Sequence, residues 1–423
     1  MWKSLEKFGQ LLFSKTTKVT SLIFLGNLFA SIFGIIFTIL VARFLGPESW
    51  GIVAAVISFI TILVAFGDLG LGASLFRFMS RALSEGEGSK AREILGIIFS
   101  LRLIATIFLL VSLFIISPWL APLVTKTNEN LLIVWAAFGI AGSLLIDFQI
   151  TSLEAKQDWR LAAVFITLTN LLRILGVYIA VSQSYLSIST TVAVFAVSPL
   201  SAFFLSLIVN KPALKVSKGW QKIVKDVVPF SSWLAVNRMV SAITSRIDIL
   251  LLLHLSNPLA TGIFAAARQL ANGVPIVVGS FATVIAPGFA SYQGGVLKES
   301  FKKTLWLSII IALGILTGVF LAPSVMSLFG DKYATAVPVL QWLLVAYIPF
   351  ALSTATVNIL IYAFSKPKII TILSLCQLPL IVLGNIYLIP QFGVYGPVWI
   401  IGLWNLSTLV VTGIFTWHYL KKL

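Results

Sequence analysis

The chain has almost none of the residues from which metal and redox centres are built: one cysteine, Cys376, and two histidines, His254 and His418, in 423 positions. A disulfide framework and a Cys/His zinc site are both excluded by that scarcity. Charge is scarce as well, with Asp, Glu, Lys and Arg making up 10% of the residues against roughly a quarter in soluble domains. Acid is the scarcer sign, 14 residues against 30 basic ones, for a net charge of +16. What remains is apolar: hydrophobic residues supply 59% of the chain and the mean hydropathy is +1.03. No soluble fold of this length could hide so much apolar surface. In a soluble protein the positive balance would suggest nucleic acid; in a membrane protein it reports loops facing anionic headgroups, so no nucleic-acid partner is expected.

A helix rises 1.5 Å per residue, so an apolar run of about 20 residues crosses the hydrocarbon core. Twelve such runs are present: 19–41, 51–76, 94–116, 131–153, 161–181, 188–209, 227–253, 262–290, 304–322, 336–364, 369–389 and 394–419. The first is too long, and too polar at its exit at Arg43, for a cleaved signal peptide. The fold class expected is therefore an all-α membrane protein of about 12 transmembrane helices. Of the Lys and Arg outside these runs, 22 fall in alternate segments beginning with the N-terminus, and only Arg43, Lys126 and Lys332 fall in the others. Basic loops stay on the cytoplasmic side, which predicts both termini in the cytoplasm and a plasma-membrane location.

The most basic loop divides the chain into an N-terminal six-helix bundle (1–209), a cytoplasmic linker (210–226) and a C-terminal six-helix bundle (227–423). The halves repeat. At an offset of 210 residues Asn27, Ser31, Gly34 and Thr38 of span one fall on Asn237, Ser241, Thr244 and Asp248 of span seven. Both sets follow i, i+4, i+7, i+11, one face of a helix. One inserted residue then aligns Trp50-Gly51-Ile52-Val53-Ala54-Ala55 with Thr261-Gly262-Ile263-Phe264-Ala265-Ala266, and sets Thr61, Asp68 and Gly72 over Asn272, Gly279 and Thr283. Six spans per half is an even number, so the halves share one orientation, as in parallel repeats that place a substrate route where the repeats meet.

Lipid cannot hydrogen-bond an amide, a hydroxyl or a charge, so the polar stripes must face protein or water. On span seven Asn237, Arg238, Ser241, Thr244, Ser245, Arg246 and Asp248 share an arc; span eight adds Arg268 and Asn272. Hydroxyl and small residues in such stripes also serve as helix–helix contacts. Arginine is different: placing it near the bilayer centre costs about 2.5 kcal/mol or more. Arg102, Arg173, Arg238, Arg246 and Arg268 lie inside the runs, against only three acids, Asp68, Asp147 and Asp248. A surplus of buried cation implies an anionic ligand or a wet cavity, and the planar guanidinium suits phosphate.

Several segments carry a resemblance. They are Val41-Ala42-Arg43-Phe44-Leu45-Gly46-Pro47-Glu48-Ser49-Trp50-Gly51, Phe66-Gly67-Asp68-Leu69-Gly70-Leu71-Gly72, Ser245-Arg246-Ile247-Asp248 and Ile389-Pro390-Gln391-Phe392-Gly393-Val394-Tyr395-Gly396. In order and spacing they resemble the polysaccharide-transport (Wzx-type) flippases of the MOP flippase superfamily. The resemblance implies two six-helix bundles around a central V-shaped cavity lined mainly by spans one, two, seven and eight. It also implies movement of a polyprenyl-pyrophosphate-linked oligosaccharide from the inner to the outer leaflet, with cavity cations holding the pyrophosphate and sugar acids. Partners would be the lipid-linked glycan, membrane lipids and glycan assembly enzymes.

Two rival functions share the hydropathy. A cation-coupled multidrug exporter of the same superfamily should favour acids over arginines in its cavity. A membrane glycan polymerase or ligase commonly displays large outer loops, whereas the longest here, 117–130, has 14 residues. No carboxylate pair or nucleophile–base set stands out, so the protein is not expected to be an enzyme. The substrate-binding residues expected are Arg238, Arg246 and Arg268, with Asn237, Ser241, Asn272, Asn27, Ser31 and Thr38. Asp68 and Asp248 are expected to read a coupling proton or sodium ion, with no other cofactor. Arg102 and Arg173 are expected to be structural partners of Asp147 or helix-end groups.

Overall fold

The structure, a computed structural model, describes residues 15–211, 220–292 and 294–422; the middle of the linker, 212–219, therefore lies outside the described residues. Fourteen α-helices are present there: α1 (Lys15–Leu45), α2 (Pro47–Asp68), α3 (Leu71–Ser84), α4 (Gly88–Thr125), α5 (Asn130–Ala155), α6 (Trp159–Ser182), α7 (Ile188–Val209), α8 (Trp220–Leu255), α9 (Pro258–Ala271), α10 (Gly273–Ser291), α11 (Gly294–Met326), α12 (Ala336–Asn358), α13 (Pro367–Phe392) and α14 (Tyr395–Lys421). Nine elements among the described residues are long and apolar enough to cross a membrane. The expected twelve spans are recovered once two of them are read as broken helices, α2 with α3 and α9 with α10. This is an integral, multi-pass membrane protein.

The breaks have local causes. Span two, read from sequence as a single run 51–76, stops at Asp68 because Leu69 (φ 49°) and Gly70 (φ 72°) take left-handed backbone. Glycine adopts that conformation without a Cβ clash. At Gly70 a Cβ would also stand 2.2 Å from the Ser231 carbonyl oxygen, so the break is pressed directly against the backbone of α8. Span eight is interrupted at Asn272, three residues before Pro275. A proline there has no N–H for the Ala271 carbonyl and weakens the ladder at that turn.

Backbone contacts divide the chain into two compact units: one made of 1–44 and 56–246, the other of 45–55 and 247–423. The sequence halves divide at the linker, whereas these units divide inside α2 and α8. In the first unit Leu75, Met79, Ile98, Phe99, Phe148 and Phe165 centre an apolar core. Its helices approach closely where side chains are small: a Cβ on Gly142 of α5 would stand 2.8 Å from the Leu200 side chain of α7. Small residues allow such approach in membranes, where apolar side chains gain little from leaving lipid.

The second unit is joined by more polar contacts. Gln377 of α13 donates to the Trp404 carbonyl (3.1 Å), Ser407 Oγ (2.8 Å) and Thr408 Oγ1 (2.9 Å) of α14. Asn405 donates to the Ala346 carbonyl at 2.9 Å, and Thr356 and Thr412 share a bond of 2.7 Å. Its outward residues are large and apolar, Trp306, Ile310, Leu313 and Phe320 of α11 among them, as a lipid-facing surface requires.

Within this second unit the sequence repeat becomes a contact. Pro47 opens α2 and Pro258 opens α9, each where the missing N–H would lack a helical partner anyway. A Cβ on Gly51 would stand 2.0 Å from the Pro258 carbonyl oxygen, and one on Gly262 would stand 1.7 Å from that of Pro47. Each helix start thus rests on the glycine of the other.

Candidate functional site

Asp68 is the last residue of α2, and the break after it turns the first N–H groups of α3 toward its carboxylate. It is 1% exposed. Oδ1 accepts from Arg102 Nη2 of α4 and from the Gly72 N–H at 3.3 Å; Oδ2 accepts from Arg238 Nη1 of α8 at 2.6 Å. Arg102 is as buried as the acid and also donates to the Leu144 carbonyl at 3.5 Å. The Arg238 side chain is 48% exposed. Gly72 leaves room for the group: a Cβ there would stand 3.2 Å from Asp68 Oδ1 and 3.5 Å from both Arg102 Nη2 and Arg238 Nη1. Asp68 bonds two guanidinium groups, and the buried Asp147 lies within electrostatic range of both of them and of Arg173; three arginines against two acids leave the group a positive surplus.

Asp147 of α5 and Arg173 of α6 lie within electrostatic range of one another in the same unit. Arg173 stacks over the Phe195 ring at 3.9 Å and donates to Asn170 Oδ1 at 3.3 Å. Arg102, expected beside Asp147, does lie within electrostatic range of it but gives its hydrogen bond to Asp68, because α2 ends where α4 can reach it. The second unit holds a separate ion pair between Arg268 Nη1 and Asp248 Oδ2, with side-chain exposures of 10% and 5%. Asp248 Oδ1 also accepts the Ile249 N–H at 2.9 Å.

The other expected residues fall into two groups. On α8 Asn237, Ser241 and Ser245 are exposed beside Arg238, and Arg246 is half-buried. This is a polar strip one helical turn apart at each step, open rather than packed. Asn272 is half-buried at the junction of α9 and α10. On α1 Ser31 is half-buried, while Thr38 is buried and its hydroxyl donates to the Gly34 carbonyl of its own helix at 3.0 Å. The Asn27 side chain lies outside the described residues. Among the described residues no group of three His, Cys, Asp or Glu could hold a metal ion.

Residues 16–293 match the sequence profile of the family described as "Polysaccharide biosynthesis protein". The chain belongs to that family. An uncharacterized membrane protein of Methanocaldococcus jannaschii, MJ1068, is 22% identical to this polysaccharide biosynthesis family member over 407 residues, covering 85% of this chain and 78% of its own. Among solved structures, an inward-facing multidrug resistance MATE family transporter of the MOP superfamily superposes with a TM-score of 0.73 at 14% identity, over 93% of this chain and 95% of that one. The lipid II flippase MurJ in an inward closed conformation gives 0.70 at 16% identity, over 92% and 86%. These likenesses show the fold, which the chain shares with a MATE family transporter and a lipid II flippase.

Two features of the cluster were missed by reading the sequence: the bond of Arg102 to Asp68, and the full break after Asp68 in a span read as one run, 51–76. The signal available was the run Gly67-Asp68-Leu69-Gly70-Leu71-Gly72, in which three glycines around one acid mark a break rather than a continuous helix.

Proposed function

We propose that this protein is a flippase that moves a polyprenyl-pyrophosphate-linked oligosaccharide from the inner to the outer leaflet of the cytoplasmic membrane by alternating access, with both termini in the cytoplasm. The observation that carries this reading is Arg238: a half-exposed guanidinium in an apolar protein, set in a cluster with more arginine than acid. Lipid would not solvate it. A diphosphate would, because its oxygens accept paired, charge-assisted hydrogen bonds from a planar guanidinium. The open strip of Asn237, Ser241 and Ser245 supplies neutral hydrogen-bonding groups of the kind a glycan needs.

Anion recognition is assigned to Arg238 and Arg246 of α8, and Arg268 would take part only by leaving Asp248. The test is glycan export by Ala and Lys variants of each at matched membrane abundance. Ala variants should lose affinity, Lys variants should recover part of it, and full export by the triple Ala variant would remove the reading. A multidrug exporter fits the same fold, but its cationic substrates would meet a positive cluster here. Coupling to a proton or sodium ion would act at Asp68 or Asp248. Both acids are held by guanidinium groups, so the coupling cation would have to compete with one; equal flipping with and without pH and sodium gradients would exclude it.

A further inference from the structure

The Asp68 cluster has the composition of an anion site whose anion is already in place. The carboxylate sits at the start of α3, takes the Gly72 N–H and lies between two arginines, an arrangement that would suit a bound phosphate equally well. The two arginines are not equivalent. Arg102 is 1% exposed and tied to the Leu144 carbonyl, so it cannot leave. Arg238 reaches the cluster from α8 with about half its side chain open and a single hydrogen bond to the acid.

We propose that Asp68 is a stand-in ligand: it occupies Arg238 while substrate is absent and yields it to the substrate's phosphate, remaining held by Arg102 and the Gly72 N–H. This rests on the reading of Arg238 as an anion-binding residue. The exchange trades one charge-assisted bond of Arg238 for another of the same kind. It leaves no buried charge without a partner, because the acid keeps two of its three donors. Arg238 is thereby presented to the substrate in a fixed place, and an anion too weak to displace a carboxylate is refused. The acid acts as a selectivity filter on its neighbour, and the bond between α8 and the end of α2 breaks only when a strong anion arrives.

The test uses inorganic pyrophosphate as the probe and the purified full-length chain in lipid nanodiscs. Asp68→Asn, which removes the competing charge but keeps an acceptor for Arg102, should tighten pyrophosphate binding by tenfold or more. Arg238→Ala should weaken it, and adding Asp68→Asn to Arg238→Ala should bring no gain. A measurement on the unmodified chain stands beside these in case Asp68→Asn does not fold. Difference infrared spectra on adding pyrophosphate should show an aspartate carboxylate stretch shifting as it loses one guanidinium, and Arg238→Ala protein should lack the shift. Pyrophosphate binding untouched by Arg238→Ala would remove the anion site and the exchange together. Binding lost in Arg238→Ala but no tighter in Asp68→Asn, or no carboxylate shift in wild-type protein that binds pyrophosphate, would keep the anion site and overturn the exchange.

Discussion

Asp68 in the first unit accepts hydrogen bonds from two arginines, whereas Asp248 in the second is ion-paired with one. The second arrangement is closed: both members are at least nine-tenths buried, and the charges balance. The first is open on one side, because Arg238 stays half exposed while Arg102 neutralises the acid behind it. A buried pair is poor evidence for stability in itself, since desolvation consumes much of the attraction. Its sensitivity to losing one member is much sharper, and that sensitivity separates a pair built for architecture from a cluster with a group to spare.

The largest effect is expected from Asp68→Ala. It leaves the buried Arg102 with the Leu144 carbonyl as its hydrogen-bond partner and no bonded carboxylate, and breaking a buried pair in this way costs about 3–5 kcal/mol. Thermal unfolding in detergent should show a large drop, with reduced membrane abundance. Next comes a contrast between arginines. Arg268→Ala strands Asp248, 5% exposed, and should destabilise by a similar amount, about 3–5 kcal/mol. Arg238→Ala leaves Asp68 with Arg102 and the Gly72 N–H, so its stability cost should be about 1 kcal/mol or less. Its defect should appear in substrate affinity, where a lost charge-assisted bond is worth about 1.5–3 kcal/mol, tenfold or more. Equal unfolding temperatures for the two variants would erase the distinction between a closed pair and an open cluster.

A smaller effect is expected from Gly72→Ala. Its Cβ would be 3.2 Å from Asp68 Oδ1, so the carboxylate must shift by a few tenths of an ångström, and would touch one nitrogen of each arginine at an ordinary 3.5 Å. A loss of about 1 kcal/mol in stability, with weakened anion binding, should follow. The matching change in the other half, Thr283→Ala, alters an exposed hydroxyl that bonds the Gly279 carbonyl of its own helix and should be nearly neutral.

The architecture was readable because its signals are long: runs of about twenty apolar residues and a repeat that spans both halves of the chain. The site was readable only in its components. Arg238, Arg268, Asp68 and Asp248 were all singled out by the cost of charge in lipid. Their pairing was not, because helical spacing reports neighbours on one helix and these partners stand on different ones. Arg102 shows the limit: the sequence set it beside Asp147 alone, and the left-handed turn at Leu69 and Gly70 brings Asp68 to it as well. Thr38 shows another, since a hydroxyl in a polar stripe can bond its own helix.

The reciprocal seat of Gly51 on Pro258 and Gly262 on Pro47 has the form of a contact between two copies of one unit. If the chain were cut at the linker, it would be an isologous contact, the same patch used by both members of a two-fold dimer. In a homodimer of such a unit a single glycine replacement would spoil the interface twice. In one chain the two copies can differ, as Trp50 and Thr261 do, yet each glycine faces the other copy's carbonyl oxygen at a distance no side chain fits. The joint keeps the symmetry of two molecules inside one.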